Sequence, residues 1–231
     1  MELSVVVPLT DSVASNPAAA FLPLGTQPPL ARIVRSMLGA VAEPGRVVIA
    51  AAAPLTGDVR TVLASEGLSA VRVEPVGGLA HRADCLGVAL KYLRRASFST
   101  SHVLVHDIAS PLAPADLAAR VVEGMRGGGT VVMPALAVTD SVKTIDRHGS
   151  ITATVDRSVL RAVQYPRGFT VDALAGLLER GAPEDFDEIA VANDAAVPVT
   201  FVEGDPDAFR AELPEDGEFV EAIIASRSSG A

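Results

Sequence analysis

Val103-Leu104-Val105-His106-Asp107-Ile108-Ala109-Ser110-Pro111-Leu112 is the stretch that decides how this 231-residue chain folds. Three apolar residues, mostly β-branched, run into His-Asp, and small residues with a proline then stop the run. A short apolar run closed by turn residues predicts a fully buried strand of a parallel sheet. The polar pair at its carboxyl end then faces the crevice where open α/β sheets bind ligands. An Asp at such an edge is placed to hold a divalent metal beside a nucleotide's phosphates, because Mg²⁺ is typically bound through one or two carboxylates plus phosphate oxygens. Asp107 reads equally as a strand-end residue that caps the helix beginning at Pro114-Ala115-Asp116. The stretch alone leaves both readings open.

Upstream, residues 3–8 predict a first strand, and residues 9–29 a long loop rich in Ser, Ala, Thr and Pro. A long loop straight after the first strand of an α/β fold is usually functional. Such loops often carry glycines whose backbone N–H groups cradle phosphates. This one has no glycine before Gly25 and no Lys or Arg before Arg32, so it is poorly equipped for that work. Residues 29–41 predict a helix with Leu30, Ile33, Val34, Met37, Leu38 and Val41 on one stripe. A strand at 46–52, a helix at 57–66 closed by Gly67, a strand at 69–75 and a helix at 80–95 complete the approach to the opening stretch.

Downstream come a helix at 114–125, a strand at 130–133, a short strand and turn at 163–169, a helix at 171–180, a last strand at 198–203 and a last helix at 214–226. Alternating strands and helices predict one Rossmann-like α/β domain over 1–231, its mostly parallel sheet covered on both faces. Residues 137–158 break the rhythm, with two Thr/Val-rich runs around Asp146-Arg147-His148-Gly149. They predict a protruding β-hairpin, which is marginal alone in water and is expected to lie on a partner subunit. Asp140, Asp146 and Asp156 read as turn and edge residues, and Asp185-Phe186-Asp187-Glu188 as a solvated acidic loop.

The totals set bounds. Hydrophobic residues make up 49% of the chain and aromatic residues 4%, with no Trp, so Val, Ala and Leu must fill the core. A net charge of −9 disfavours a nucleic-acid partner, while leaving room for a small anion met by locally placed arginines. One cysteine, Cys85, precludes an internal disulfide and a cysteine-built metal cluster, and reads as buried filler. No apolar run reaches about 20 residues, which predicts no membrane span and a cytoplasmic location. His106 reads as a structural hydrogen-bonder.

Several motifs in order resemble the 2-C-methyl-D-erythritol 4-phosphate cytidylyltransferases. His106-Asp107-Ile108-Ala109-Ser110-Pro111 is similar to their His-Asp-Ala-Ala-Arg-Pro, and Val138-Thr139-Asp140-Ser141-Val142-Lys143 to Val-x-Asp-Thr-x-Lys. Thr154-Val155-Asp156-Arg157 with Gln164-Tyr165-Pro166-Arg167-Gly168-Phe169 resembles Thr-Val-Asp-Arg followed by Gln-Thr-Pro-Gln-x-Phe. Arg82-Ala83-Asp84-Cys85 matches Arg-x-x-Ser, and residues 204–216 follow the family's closing pattern. The resemblance implies a nucleotide-diphospho-sugar-transferase type of fold, a homodimer joined by the 137–158 arm, and Mg²⁺-dependent transfer of CMP from CTP to 2-C-methyl-D-erythritol 4-phosphate or a related polyol phosphate. Carried over, Asp107 holds Mg²⁺, and Gly77, Gly78, Arg82 and Cys85 surround the nucleotide. Ser141, Arg157, Tyr165 and Arg210 hold the acceptor, with Arg157 and Arg210 assisting catalysis.

The departures fall where chemistry belongs. The family's Ala-Ala-Gly-x-Gly-x-Arg loop has lost its glycines, Arg and Lys here. Ser110 replaces an Arg, Cys85 a Ser, Tyr165 a Thr, Arg167 a Gln and Ala208 an Asn, and Asn193-Asp194-Ala195 keeps part of Thr-Asp-Asp-Ala. Losing a cationic or backbone contact to a transition state costs on the order of 10³-fold per group. The expectation is a cytidylyltransferase with weak or lost turnover, and the competing reading is a non-catalytic relative that binds a nucleotide, a sugar phosphate or a protein partner.

Overall fold

A computed structural model describes residues 1–182, 184 and 186–228. In chain order the elements are β1 (Leu3–Leu9), α1 (Asp11–Ser15), α2 (Ala18–Phe21), α3 (Pro29–Leu38), β2 (Val47–Ala52), α4 (Thr56–Ser65), β3 (Arg72–Val76), α5 (Arg82–Leu93) and β4 (His102–Val105). There follow α6 (Ala115–Arg126), β5 (Val131–Ala137), β6 (Lys143–Ile145), β7 (Ile151–Thr154), β8 (Arg161–Val163), β9 (Arg167–Thr170), α7 (Val171–Leu178), α8 (Glu188–Asp194), β10 (Thr200–Glu203) and α9 (Gly217–Ser228).

One eight-stranded sheet runs β10-β5-β9-β4-β1-β2-β3, with β8 alongside β5. Every residue of β1 and β2 is buried, as Val/Ala/Leu runs covered on two faces require. Helices α5, α7 and α8 pack together in one layer, and α3 packs with α6 in another. β1 pairs in parallel with both β2 and β4, so the strand order reverses at β1. Ligand crevices of doubly wound sheets open at such a reversal. The loops after β1 and β4 flank it here. No helix among the described residues is long and apolar enough to cross a membrane.

Three expectations change. Residues 9–29 are not one open loop: β1 continues to Leu9, and α1 and α2 fill most of the segment before α3. The 163–169 segment holds two strands, and β9 runs antiparallel between β4 and β5. Gly168 permits this passage, since a Cβ there would come within 2.7 Å of both Met125 Sδ and Val121 Cγ1 on α6. The acidic 185–188 stretch is not a solvated loop at its described end. Asp187 accepts N–H bonds from Ile189 and Ala190 at 2.9 Å, starting α8 as an N-cap, and Glu188 is fully buried. Asp185 lies outside the described residues. The arm is a separate two-stranded sheet of β6 and β7, shorter than the 138–145 and 150–155 runs.

Candidate active site

β4 delivers Asp107 to the crevice. His106 N–H donates to the Val6 carbonyl at 2.9 Å, extending the β1 ladder by one residue, and the chain then turns. The turn is closed by Asp107 itself: Oδ1 accepts the Ala109 N–H at 2.9 Å, and its carbonyl accepts the Ser110 N–H at 3.1 Å. The ring of His106 is fully buried, with Nδ1 3.0 Å from the Asp107 carbonyl. Burial lowers its pKa to about 4, so it stays neutral behind the aspartate.

α5 begins with Arg82, after His81 donates its N–H to Asp84 Oδ2 at 3.1 Å. Arg82 Nη1 donates to Asp107 Oδ2 at 3.0 Å and Nε to Glu188 Oε1 at 2.8 Å. From β9, Arg167 Nη1 meets the other oxygen of Glu188 at 2.6 Å and Asp187 Oδ2 at 3.3 Å. The Tyr165 ring packs on both cations, 5.1 Å from Arg82 Cζ and 4.1 Å from Arg167 Cζ. Arg210 Nη1 stands 3.8 Å from Asp107 Oδ1. Burial pushes the Asp107 carboxyl up, but Arg82, the Ala109 N–H and Arg210 outweigh it and hold the group below the usual carboxylate range. It is therefore ionised at neutral pH.

These residues line a cleft of about 690 Å³. Its described lining carries six carboxylates (Asp11, Asp107, Glu184, Asp187, Glu212, Glu215) against two arginines, Arg82 and Arg210. The first loop contributes an acid where phosphate binding wants a cation. Asp11 ties that loop shut: Oδ2 accepts the Ala80 N–H at 2.7 Å, and its own N–H donates to the Ala80 carbonyl at 3.1 Å. Arg32, the first cation after the loop, is turned away and donates to the Leu24 carbonyl at 2.7 Å.

Of the residues nominated from the sequence, Asp107, Arg82, Tyr165 and Arg210 meet at this cleft. Cys85 does not. Its thiol is fully buried, 3.9 Å from the Leu9 carbonyl, and burial pushes it up to about 12, so the filler reading stands and the nucleotide contact does not. Gly77 and Gly78 form the turn before Ala80, with Gly78 at φ +73°, and neither lines the cleft. Ser141 and Arg157 ride on the arm, where Arg157 Nη1 bonds the Thr139 carbonyl, and neither reaches this chain's own cleft. Asn193 and Asp194 close the far end of α8, exposed; the acids that matter are Asp187 and Glu188. The signal for them was an Asp immediately before Glu-Ile-Ala-Val, an N-cap pattern.

A parallel α/β sheet with a carboxylate-arginine pair at its order reversal, an inserted antiparallel strand and a projecting hairpin defines a nucleotidyltransferase type of fold. The solved 4-diphosphocytidyl-2C-methyl-D-erythritol synthase shares it, with a TM-score of 0.77 at 23% identity over 96% of this chain and 98% of that one. The model of the family described as 2-C-methyl-D-erythritol 4-phosphate cytidylyltransferase (IspD) matches residues 10–226, and the chain belongs to that family. The family's Rhodococcus jostii (strain RHA1) protein is 36% identical over 214 residues, 92% of this chain and 89% of that protein. The Nocardia farcinica (strain IFM 10152) protein is 35% identical over 210 residues, 91% of this chain and 87% of its own length. The Thermus thermophilus structure, titled as the same cytidylyltransferase, gives a TM-score of 0.70 at 30% identity over 97% of this chain and all of its own.

Proposed function

We propose that the chain binds CTP across the β1/β4 reversal and transfers its CMP group to 2-C-methyl-D-erythritol 4-phosphate or a related polyol phosphate, at a rate limited by poor hold on the triphosphate. The observation that carries this reading is the ionised Asp107 braced by Arg82 at the strand end that faces the cleft. Phosphoryl transfer is mainly positioning and charge stabilisation, so an Arg fork beside a carboxylate is the apparatus it needs. In the transfer, an oxygen of the acceptor phosphate attacks the α-phosphorus of CTP and pyrophosphate leaves. Arg82 orients the nucleotide, and Arg210, exposed at the mouth, neutralises charge on the acceptor.

Asp107 also fits Mg²⁺: it is ionised, it lines the cleft, and such ions are completed by substrate phosphates. Among the described residues no group of three or more acidic, His or Cys side chains forms a cage without them. The ion would screen the phosphate charge that two arginines alone leave unbalanced.

The acceptor side requires a second copy. Arm residues Ile145 and Ile151 are 65% and 67% exposed in one chain, an apolar hairpin without a body to lie on. A homodimer in which residues 137–158 cross to the partner covers them and brings Ser141 and Arg157 to the partner's cleft. Sedimentation of the chain with and without that hairpin tests the assembly; an unchanged mass refutes it.

A panel of nucleoside triphosphates with the acceptor, following pyrophosphate release, tests the activity. CTP-selective, acceptor-dependent release supports transfer. Micromolar CTP binding by calorimetry without release supports a second reading, a nucleotide-binding relative without turnover, which the acidic lining and the Asp11-closed loop favour. Neither binding nor release refutes both.

A further inference from the structure

Glu188 does not line the cleft, yet it controls the cation that does. Its carboxylate is fully buried and spends both oxygens on guanidinium groups, Oε1 on Arg82 Nε and Oε2 on Arg167 Nη1. A buried carboxylate is costly unless it is paired and hydrogen-bonded, and this one is paired twice. We propose that Glu188 is a positioning residue that fixes the orientation of the Arg82 guanidinium for the bound nucleotide.

The geometry gives the reason. Three points fix a plane, and Arg82 is held at Nε by Glu188, at Nη1 by Asp107 and over one face by the Tyr165 ring. Its Nη2 has no hydrogen-bond partner among the described residues and almost no solvent, so one donor of the fork stands unspent beside the cleft. A buried, unsatisfied charged donor is destabilising in the free protein, and a ligand acceptor relieves it. Asp107 alone cannot supply the orientation, because a ligand or ion that engages Asp107 competes with Arg82 for the same oxygens. Glu188 lies outside that competition. Arg167 and Tyr165, which stand where the family resemblance has Gln and Thr, complete the brace: Arg167 neutralises the second oxygen, and the ring lies against both cations.

The functional consequence rests on the reading that Arg82 contacts nucleotide; the placement of Arg82 does not. Removing Glu188 alone strands two buried cations, so the informative variant is Glu188→Met with Arg167→Met, an apolar replacement of a buried pair that proteins often tolerate. Its reference is Arg167→Met, which keeps the Glu188–Arg82 bond. Two readouts are taken. The first is hydrogen exchange at Arg82 Nε–H by ¹⁵N NMR, assigned with Arg82→Lys and recorded without ligand. Protection is expected in Arg167→Met and its loss in the double variant; retained protection overturns the proposal. The second is CTP affinity by calorimetry, expected to fall tenfold or more from Arg167→Met to the double variant, with no such fall in an Arg82→Met background. Equal affinities within threefold, or a full additional loss without Arg82, overturn it. A native chain that binds no CTP refutes the proposed function instead, and the exchange measurement then decides Glu188 by itself.

Discussion

Asp11→Asn is expected to tighten the binding of Mg·CTP. The asparagine keeps an acceptor for the Ala80 N–H that Asp11 Oδ2 holds at 2.7 Å, so the first loop stays tied, and only the charge is removed. A cleft of about 690 Å³ is roughly 9 Å across. Over that distance, at an effective dielectric between those of a protein surface and water, two unit charges repel by about 1 kcal/mol before screening. At 0.15 M salt the Debye length is about 8 Å, which cuts this to roughly a third. Against a metal-bound triphosphate with about two net charges, one carboxylate then costs about 0.6 kcal/mol, or a threefold change in Kd. Near 20 mM salt screening fades, and the same sum gives about 1.2 kcal/mol, close to eightfold. The variant loses about 0.5–1 kcal/mol of stability, because a charged acceptor becomes neutral. Calorimetry of Mg·CTP at both salt concentrations checks this. An affinity that is unchanged or weaker at both, in a variant that melts cooperatively, refutes the claim that the cleft's acidic lining opposes the triphosphate.

Asp107→Ala should abolish the Mg²⁺ dependence of nucleotide affinity; the same dependence in the variant overturns the metal role of Asp107. His106→Gln tests burial of a neutral ring. Because the folded pKa is about 4 against an ordinary 6.5, the unfolded chain takes up the proton first as pH falls, and stability drops through that window. By pH 4.5 the native chain should have lost about 2.5 kcal/mol to this residue, a loss that His106→Gln escapes, so urea midpoints of the two should converge or cross between pH 7 and 4.5. Parallel midpoints contradict it. Gly204→Ala should cost about 2–3 kcal/mol by urea denaturation, since a Cβ there collides with Gln164 Oε1 and comes within 2.9 Å of the Ala135 carbonyl carbon. It would also break the two bonds, 2.7 and 2.8 Å, by which Gln164 holds the Asp205 backbone. A loss below about 0.5 kcal/mol contradicts that packing.

The sheet was legible because burial writes itself into composition. Val47–Ala52 and Leu3–Leu9 are continuous apolar runs, and only strands covered on both faces tolerate that. β9 was not legible as a separate strand, because Arg167-Gly168-Phe169-Thr170 is short and carries a charge that only tertiary pairing with Glu188 neutralises. Glu188 was misjudged for the same reason: an acidic run looks solvated until the two arginines that meet it, 106 and 21 residues away in sequence, are seen beside it. At the cleft, Asp107, Arg82, Tyr165 and Arg210 were visible through motif order. Cys85 was misplaced because position in a motif says nothing about which face of α5 a residue occupies, and its face is the one packed on the sheet.

Asp107 has two oxygens and three claimants, and their inequality sets the direction from which a ligand can arrive. Arg82 meets Oδ2 at 3.0 Å with only 17% of its side chain exposed, and Glu188 anchors it from behind. The Ala109 N–H on Oδ1 belongs to the turn itself and moves only if the backbone moves. Arg210 meets Oδ1 at 3.8 Å with its side chain 68% exposed. An ion pair that open is worth little, because water competes for both charges and the long side chain loses freedom in holding it. Arg210 is therefore the partner that yields, and its departure frees a lone pair on Oδ1 toward the solvent-facing mouth. An incoming cation can take that position without disturbing Arg82, and the displaced Arg210 is left at the mouth, where a second, phosphate-bearing substrate must enter. On this geometry Arg210→Ala should weaken the acceptor more than the nucleotide, a split that steady-state kinetics resolves as a rise in acceptor KM with CTP KM nearly unchanged. The reverse split places Arg210 on the triphosphate and reassigns the mouth of the cleft to the nucleotide.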